Sequence, residues 1–455
     1  GARTTARVGA QRALALVEAR SAGLADVEPL LLEELARLAR RPPWDEGGLA
    51  LAWTGAALHR GGAVFAGPSS RAWRARGAAI LTTCAARQVL SDGVHVERSP
   101  VTHALLLEAL LVALETSRSL AEAPPRGVAV AAARLAAVLP ALCLPDGEPV
   151  RARDGAPGEA LPCASLTAWA AAQPEAPVPL GSARARRFPA AGLAILTSTD
   201  RRSAATLWAA PSCPSDGPGG GHADALATEV VLDGVRVIAS AGTPRSGGRT
   251  GRERERTPGA FAGLRVDGVA TADVAEAAGA GARGWARRLE VRAEDAGAFA
   301  EAYAGGLPGA ARRVVLRRVV RLGNGPCVAF VDEATGGGEH DLSYAWPLLP
   351  GLSARLEGDG ASIVGLGRTF AFAAPGLALS IEDGLYARGP GVGERREVLV
   401  SHARRAVPTR VVHAIAPGPG PLRVTATPVP GGELRIEVEG AFGRSVGFVP
   451  AGRRP

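Results

Sequence analysis

The sequence predicts a multidomain α + β protein, with a helical domain first and an antiparallel β-sandwich after it. Three observations carry this. Up to about residue 145, apolar residues recur at helical spacing between short Gly/Pro breaks. From residue 188 onward the texture changes to short alternating apolar runs separated by glycine-rich turns. Between the two lies a Pro/Ala/Arg-rich stretch at 172–187. A chain of 455 residues also exceeds what one ordinary core organises. The expected division is a helical domain over 1–171, a linker over 172–187 and a β-sandwich over 188–455.

The helical half is read in order. Segments 8–19, 27–39, 49–58, 71–90, 100–116 and 128–142 each carry an apolar stripe at a period near 3.6. Arg41-Pro42-Pro43, Gly61-Gly62, Asp92-Gly93 and Pro124-Pro125 separate them. Helices joined by such short breaks run antiparallel, which fits an (α/α) toroid or a bundle. In the second half the expected strands are 192–197, 229–232, 235–239, 314–320, 327–331, 361–364, 377–381, 398–400, 411–414 and 434–439. Many strands at such spacing indicate an antiparallel sandwich. Gly217–Gly221 and Gly336–Gly338 read as turns, because neither has the strand–turn–helix context of a phosphate loop.

Composition narrows the function. Apolar residues make up 47% and charged residues 21%, both ordinary for a globular chain. There is no Lys and no Met, and Asn324 is the only Asn, a bias of the kind a GC-rich genome imposes. The sequence does not begin with Met, so Gly1 is not expected to be the true start: either a signal peptide has been removed or the chain is a fragment. No uninterrupted apolar run reaches the ~18 residues a membrane span needs. The formal net charge is +8. A nucleic-acid partner is not expected, because the Arg clusters at 249–256 and 312–321 lack interleaved aromatics and a recognisable module. An acidic substrate steered by a basic cleft fits the charge, and so does a solvated surface written in Arg. The five cysteines are scattered and odd in number, which makes a poor disulfide framework; whether Cys143 and Cys163 pair is left open.

Residues 92–108 are the most informative stretch. Asp92-Gly93 is a turn; His95, Glu97 and Arg98 follow within four residues. Ser99-Pro100 then starts a helix, with Ser as cap and Pro at its first position. After Thr102 and His103 an apolar run climbs the helix from Leu105 to Leu111. This stretch resembles the heparinase II/III family of polysaccharide lyases, which carry Asp-Gly-Gly-His-Phe-Glu-Arg-Ser-Pro-x-Tyr-His at the start of a toroid helix. Four further segments extend the resemblance to about residues 8–350. Pro145-Asp146-Gly147 with Arg153-Asp154 matches the family's Pro-Asp-Gly and Asn-Asp. Gly221-His222-Ala223-Asp224 matches part of Gly-His-x-His-x-Asp. Ala241-Gly242-Thr243 stands where the family has Asp-Pro-Gly-Thr, and Tyr303 where a later Tyr sits.

The resemblance implies an incomplete N-terminal (α/α) toroid, a C-terminal β-sandwich, a periplasmic or secreted location and an acidic, uronic-acid polysaccharide as partner. It implies β-elimination, in which the uronate carboxylate is neutralised, a base takes the C5 proton and an acid protonates the departing 4-oxygen. Several of the family's residues are replaced. Its acid/base Tyr is Thr102, its carboxylate-holding Asn-His falls at Glu46-Gly47-Gly48, and the His of a later His-Asn-Thr motif aligns with Phe261. Where some members bind zinc, the Asp is Ser240, so neither a metal nor a cofactor is expected. The remaining candidates are His222, His95 and Tyr303 for proton transfer, and Glu97, Arg98, His103 and Asp224 for substrate binding. Each has a structural alternative. Glu97 and Arg98 could anchor a helix start, and His222 with Asp224 could tie a hairpin. Trp44, Trp53 and Trp73 are either sugar platforms or core. Two functions stay open: a lyase with a degenerate catalytic set, and an inactive protein that binds an acidic glycan or handles exopolysaccharide.

Overall fold

The computed structural model describes residues 2–44, 48–210, 222–243, 258–270, 284–307 and 309–452. The described chain forms two compact units. The first takes in Gly1–Ala141 and Glu159–Leu180; the second takes in Leu142–Gly158, Gly181–Pro214 and Gly220–Pro455. The second unit thus claims the 142–158 segment out of sequence order.

The first unit is helical: α1 (Ala2–Ser21), α2 (Glu28–Arg40), α3 (Gly48–Ala63), α4 (Pro68–Arg87), α5 (Pro100–Ser119), α6 (Val128–Leu142) and α7 (Cys163–Ala171). Six of these fall on the segments the periodicity marks. The seventh, α7, is a helix the sequence reading does not name, since nine residues carry too little stripe to stand out. Its Trp169 indole donates to Glu115 on α5 at 3.2 Å. Helix α3 packs closely on α4, where Gly55 and Gly77 face each other; a Cβ on Gly77 would meet the backbone of His59 at 2.5 Å. The small residues set that approach.

Helix α5 is the central element. Ser99 caps it, accepting from the Thr102 amide at 3.2 Å, and Pro100 opens it. By length and composition alone its 20 residues would pass as a helix that crosses a bilayer. Of its apolar window 83% is buried inside the protein, the position of a core helix.

The second unit is built from antiparallel sheets. Strands β1 (Ala185–Phe188), β2 (Leu193–Thr197), β3 (Ala204–Trp208), β4 (Val230–Leu232) and β5 (Val235–Ile238) form one sheet in sequence order. An eight-stranded sheet runs β12-β13-β14-β17-β10-β9-β8-β7. Its members are β7 (Trp285–Glu294), β8 (Gly297–Gly305), β9 (Val315–Gly323), β10 (Val328–Thr335), β12 (Leu352–Glu357), β13 (Gly360–Gly365), β14 (Arg368–Ala373) and β17 (Thr409–Pro417). A third sheet is β15-β16-β11-β6, from β6 (Leu264–Val266), β11 (Glu339–Pro347), β15 (Ala378–Gly389) and β16 (Val392–Ala406). The last is β18 (Arg423–Pro428), β19 (Leu434–Gly440) and β20 (Gly443–Val449). Every expected strand is present. Strand β1 begins at Ala185, inside the stretch read as linker, because its arginines mask a short alternation.

One core joins the first three sheets, with Leu196, Leu207 and Val230 meeting Val320, Phe330, Trp346 and Leu399. On β8 the pleat sends Ala298, Ala300, Ala302 and Ala304 into this core. Phe299 faces the other way, into a second core shared with Leu434, Ile436 and Val449 of the small sheet. The eight-stranded sheet is therefore covered on both faces, which is why β8 and β9 are buried nearly throughout.

Candidate functional site

In the first unit the 92–103 segment forms a closed polar knot. Leu90 and Val94, and Gln88 and Val96, exchange backbone bonds of 2.8 and 3.0 Å across the Asp92-Gly93 turn. Gly93 holds φ +85°, which only glycine adopts without strain. His95 is fully buried. Its Nδ1 accepts from the Glu97 amide at 3.1 Å and lies 3.3 Å from the Thr102 hydroxyl; its Nε2 faces the Gln88 side-chain oxygen at 3.4 Å. With Nδ1 accepting, the tautomer consistent with the network carries its proton on Nε2. Burial first, and nearby His103 second, pull the His95 pKa down to about 3. His103 is equally buried, its Nε2 at 2.9 Å from the Leu135 carbonyl on α6, and burial lowers its pKa to about 4. Both imidazoles are neutral interior groups.

Thr102 is buried, and its hydroxyl donates to the Ser99 carbonyl at 2.9 Å. Glu97 and Arg98 are half-buried, and Arg98 sits at φ +59°. Of the family's carboxylate-holding position, Glu46 and Gly47 lie outside the described residues. Gly48 is described: it adopts φ +52°, and a Cβ there would sit 2.7 Å from the Glu97 carboxylate. Trp53 is core, whereas Trp44 is half exposed.

In the second unit the 142–155 segment makes a hairpin that arginines tie to the first sheet. Arg236, projecting from β5 and 1% exposed, grips both Asp146 oxygens at 2.7 and 3.0 Å and Glu229 at 2.9 Å. It also donates to the Glu148 and Pro149 carbonyls. Burial opposes its charge, but Glu229 and Asp146 outweigh that and raise its pKa. Glu229 in turn accepts from the Arg151 and Ser240 amides at 3.1 and 2.9 Å. Two residues along, Arg153 at φ +63° meets Asp224 at 3.2 Å, and Asp154 meets His222 Nε2 at 3.1 Å. The Gly155 amide donates to the Thr243 hydroxyl at 2.8 Å, and the Thr243 amide returns a bond to the Gly155 carbonyl. Gly242 permits that approach, since a Cβ on it would lie 2.7 Å from the Gly155 oxygen.

His222 is fully buried, and Phe261 stands edge-on to it with ring centroids 5.5 Å apart. Where the resemblance aligns a histidine, the structure thus puts a hydrocarbon edge. Among the described residues no group of three or more His, Cys, Asp or Glu side chains stands close enough to hold a metal ion.

Tyr303 does not join this cluster. Strand alternation places it on the face of the eight-stranded sheet opposite Ala302 and Ala304, whose core also contains Ala225 and Leu226 of the His222 segment. It lines a cavity of about 530 Å³ with Arg317, Glu333, Thr335, Thr409 and Arg410. The structure therefore brings His222, Asp224, Arg153 and Asp154 together in the second unit. It holds His95, Glu97, Arg98 and His103 together in the first, and sets Tyr303 apart.

Three arginines of this cluster escape the sequence reading: Arg151, Arg236 and Arg396. Charged residues at alternate positions of a strand read as solvent-facing. Only the long-range packing of β5, β15 and β16 against the 142–155 hairpin reverses that.

The fold and these clusters define a protein with an α-helical unit and an antiparallel β-sandwich unit. Two family profiles match the chain: "Heparinase II/III N-terminus" over residues 44–156 and "Heparinase II/III-like, C-terminal" over residues 181–419. The chain belongs to the heparinase II/III-like family. Among solved structures it is similar to a heparinase III, at TM-score 0.74 and 15% identity over 97% of this chain and 74% of that one. A heparan sulfate lyase, HepC, from Pedobacter heparinus gives TM-score 0.68 and 16% identity over 94% and 70%. A further heparinase III gives TM-score 0.69 and 13% identity over 92% and 68%. At these identities the likeness is one of fold. No curated protein matches the chain.

Proposed function

We propose that this protein, exported to the periplasm or beyond, engages an acidic, uronic-acid polysaccharide as a polysaccharide lyase-class protein whose elimination machinery is degenerate, so that binding survives and turnover does not. One observation carries the proposal. At the position of the family's acid/base Tyr, Thr102 is buried with its hydroxyl donated to the Ser99 carbonyl. An aliphatic alcohol is far too weak an acid to exchange protons with a C5–H or a leaving oxygen, and this one is spent on the helix start. Neighbouring His95 offers no substitute: its pKa is pulled to about 3 and both ring nitrogens face partners inside the knot. Binding needs less. The second unit keeps a dense set of arginines, whose planar forks suit carboxylates and sulfates.

A second reading, elimination by a relocated group, draws on His222, which is oriented by Asp154 at 3.1 Å as general bases often are. The two readings separate on incubation with heparin, heparan, alginate and chondroitin. Binding without growth of the ultraviolet absorbance of a 4,5-unsaturated uronate is expected. Sustained growth of that absorbance by the unmodified chain would overturn the inactive reading.

A further inference from the structure

We propose that Arg151, Tyr386 and Arg396 form a binding site for one carboxylate or sulfate group of an acidic sugar; this rests on the acidic-glycan reading above and gives it a location. The guanidinium carbons of Arg151 and Arg396 lie 4.9 and 5.7 Å from the centroid of the Tyr386 ring. Arg396 is 5% exposed and, among the described residues, forms no ion pair with a carboxylate. Two of its nitrogens hold the Ala239 and Ala260 carbonyls, and its Nε has no hydrogen-bond partner. Among the described residues Arg151 likewise keeps a buried Nη1 without a hydrogen-bond partner, and its guanidinium pairs with Glu148 at 3.6 Å, a side chain half open to water.

The nearby buried carboxylates are committed elsewhere. Asp146 and Glu229 both close on Arg236. The consequence shows in the charge states. Burial first lowers both pKa values, that of Arg396 to about 9; Arg236 adds to this for Arg151 and Arg151 adds to it for Arg396, and the opposing pull of Glu229, already bonded to Arg236, does not make up the difference. A ring face attracts a cation but does not neutralise it. A buried cation without an anionic partner is costly, and an oxyanion entering here removes that cost. Arg151 leaves about a tenth of its side chain open and so meets the ligand first. Arg396 stays closed behind it and contributes field. The Tyr386 hydroxyl has no hydrogen bond among the described residues and supplies a neutral donor beside them. The bonds that fix Arg236 and Glu229 hold the hairpin carrying Arg151 in register, so the site is organised before anything binds.

The test is calorimetric titration of the whole chain, at fixed ionic strength, with sodium glucuronate, glucose 6-sulfate, glucose and inorganic sulfate, and with heparin. Glucuronate or glucose 6-sulfate binding, with no binding of glucose, is expected. Arg151→Gln should weaken it about tenfold or more, and Tyr386→Phe by several fold, each with an unchanged circular dichroism spectrum. Binding of inorganic sulfate alone would make this a site for a free ion and overturn the sugar assignment. Heparin binding that neither substitution weakens would overturn the site while the glycan-binding function stands. Sugar-acid binding lost on Arg151→Gln, with no polymer bound, would keep the site and sink that function.

Discussion

Replacing Arg236 by Met should destabilise the β-unit more than any other single change near the candidate site. The side chain is 1% exposed and makes ion pairs with Asp146 and Glu229, with further bonds to two backbone carbonyls. Methionine fills similar volume, so the cavity contribution is small. What remains is Glu229, 2% exposed, whose carboxylate keeps, among the described residues, the hydrogen bonds from the Arg151 and Ser240 amides. Removing one partner of such a pair typically costs about 3–5 kcal/mol, because a charge is stranded in the interior. Spread over a unit of this size, that is a fall in melting temperature of roughly 5–8 °C. Arg236→Lys keeps the charge but not the planar fork, and should fall in between. Adding Glu229→Gln to Arg236→Met removes the stranded charge and should recover part of the loss, a positive coupling in a double-mutant cycle. Differential scanning calorimetry on the unmodified chain, the two Arg236 variants, Glu229→Gln and the double variant measures all of this. A shift under about 2 °C for Arg236→Met, or no recovery in the double variant, would refute the reasoning.

Other expectations follow from the same geometry. Thr102→Tyr should not create lyase activity, since the resemblance puts Glu46-Gly47-Gly48 where the family holds the carboxylate. Forcing a ring into a buried site should also cost about 1–3 kcal/mol by urea denaturation; double-bond formation by this variant would contradict it. His95 and His103, with folded pKa values of about 3 and 4, stay neutral while the unfolded chain takes up protons near pH 6.5. Their stability contribution is therefore present above pH 6.5 and is lost as the pH falls toward 4 and 3, so His103→Asn should flatten the acid limb of a stability–pH curve. The opposite sign applies to His340. Its bond to Asp267 at 2.7 Å raises its pKa, so that contribution is full below pH 6.5 and disappears as pH rises through the elevated value. A proton NMR titration placing His340 below 6.5 would contradict this. Burial pushes the Cys84 and Cys327 thiols up to about 12, so neither should react with a thiol reagent until the protein unfolds.

What the sequence alone determined is local and periodic. The six long helices follow from the 3.6-residue stripes and their Gly/Pro breaks, and the Ser99-Pro100 start of α5 from cap chemistry. The 92–103 and 222–224 motifs were legible as clusters, because their residues are neighbours along the chain. Tertiary structure decided the rest. That Tyr303 turns away from His222 depends on which face of β8 meets the main core, a choice the alternation allows either way. Burial, which no spacing reveals, turned His95 and His103 from candidate site groups into neutral interior ones. Arg151, Arg396 and Tyr386 lie 245 residues apart at the extremes, and only the packing of β15 and β16 against the 142–155 hairpin makes them one cluster. A strand arginine carries the same letter whether it faces water or the interior. Its environment, and so its chemistry, is set by what folds over it.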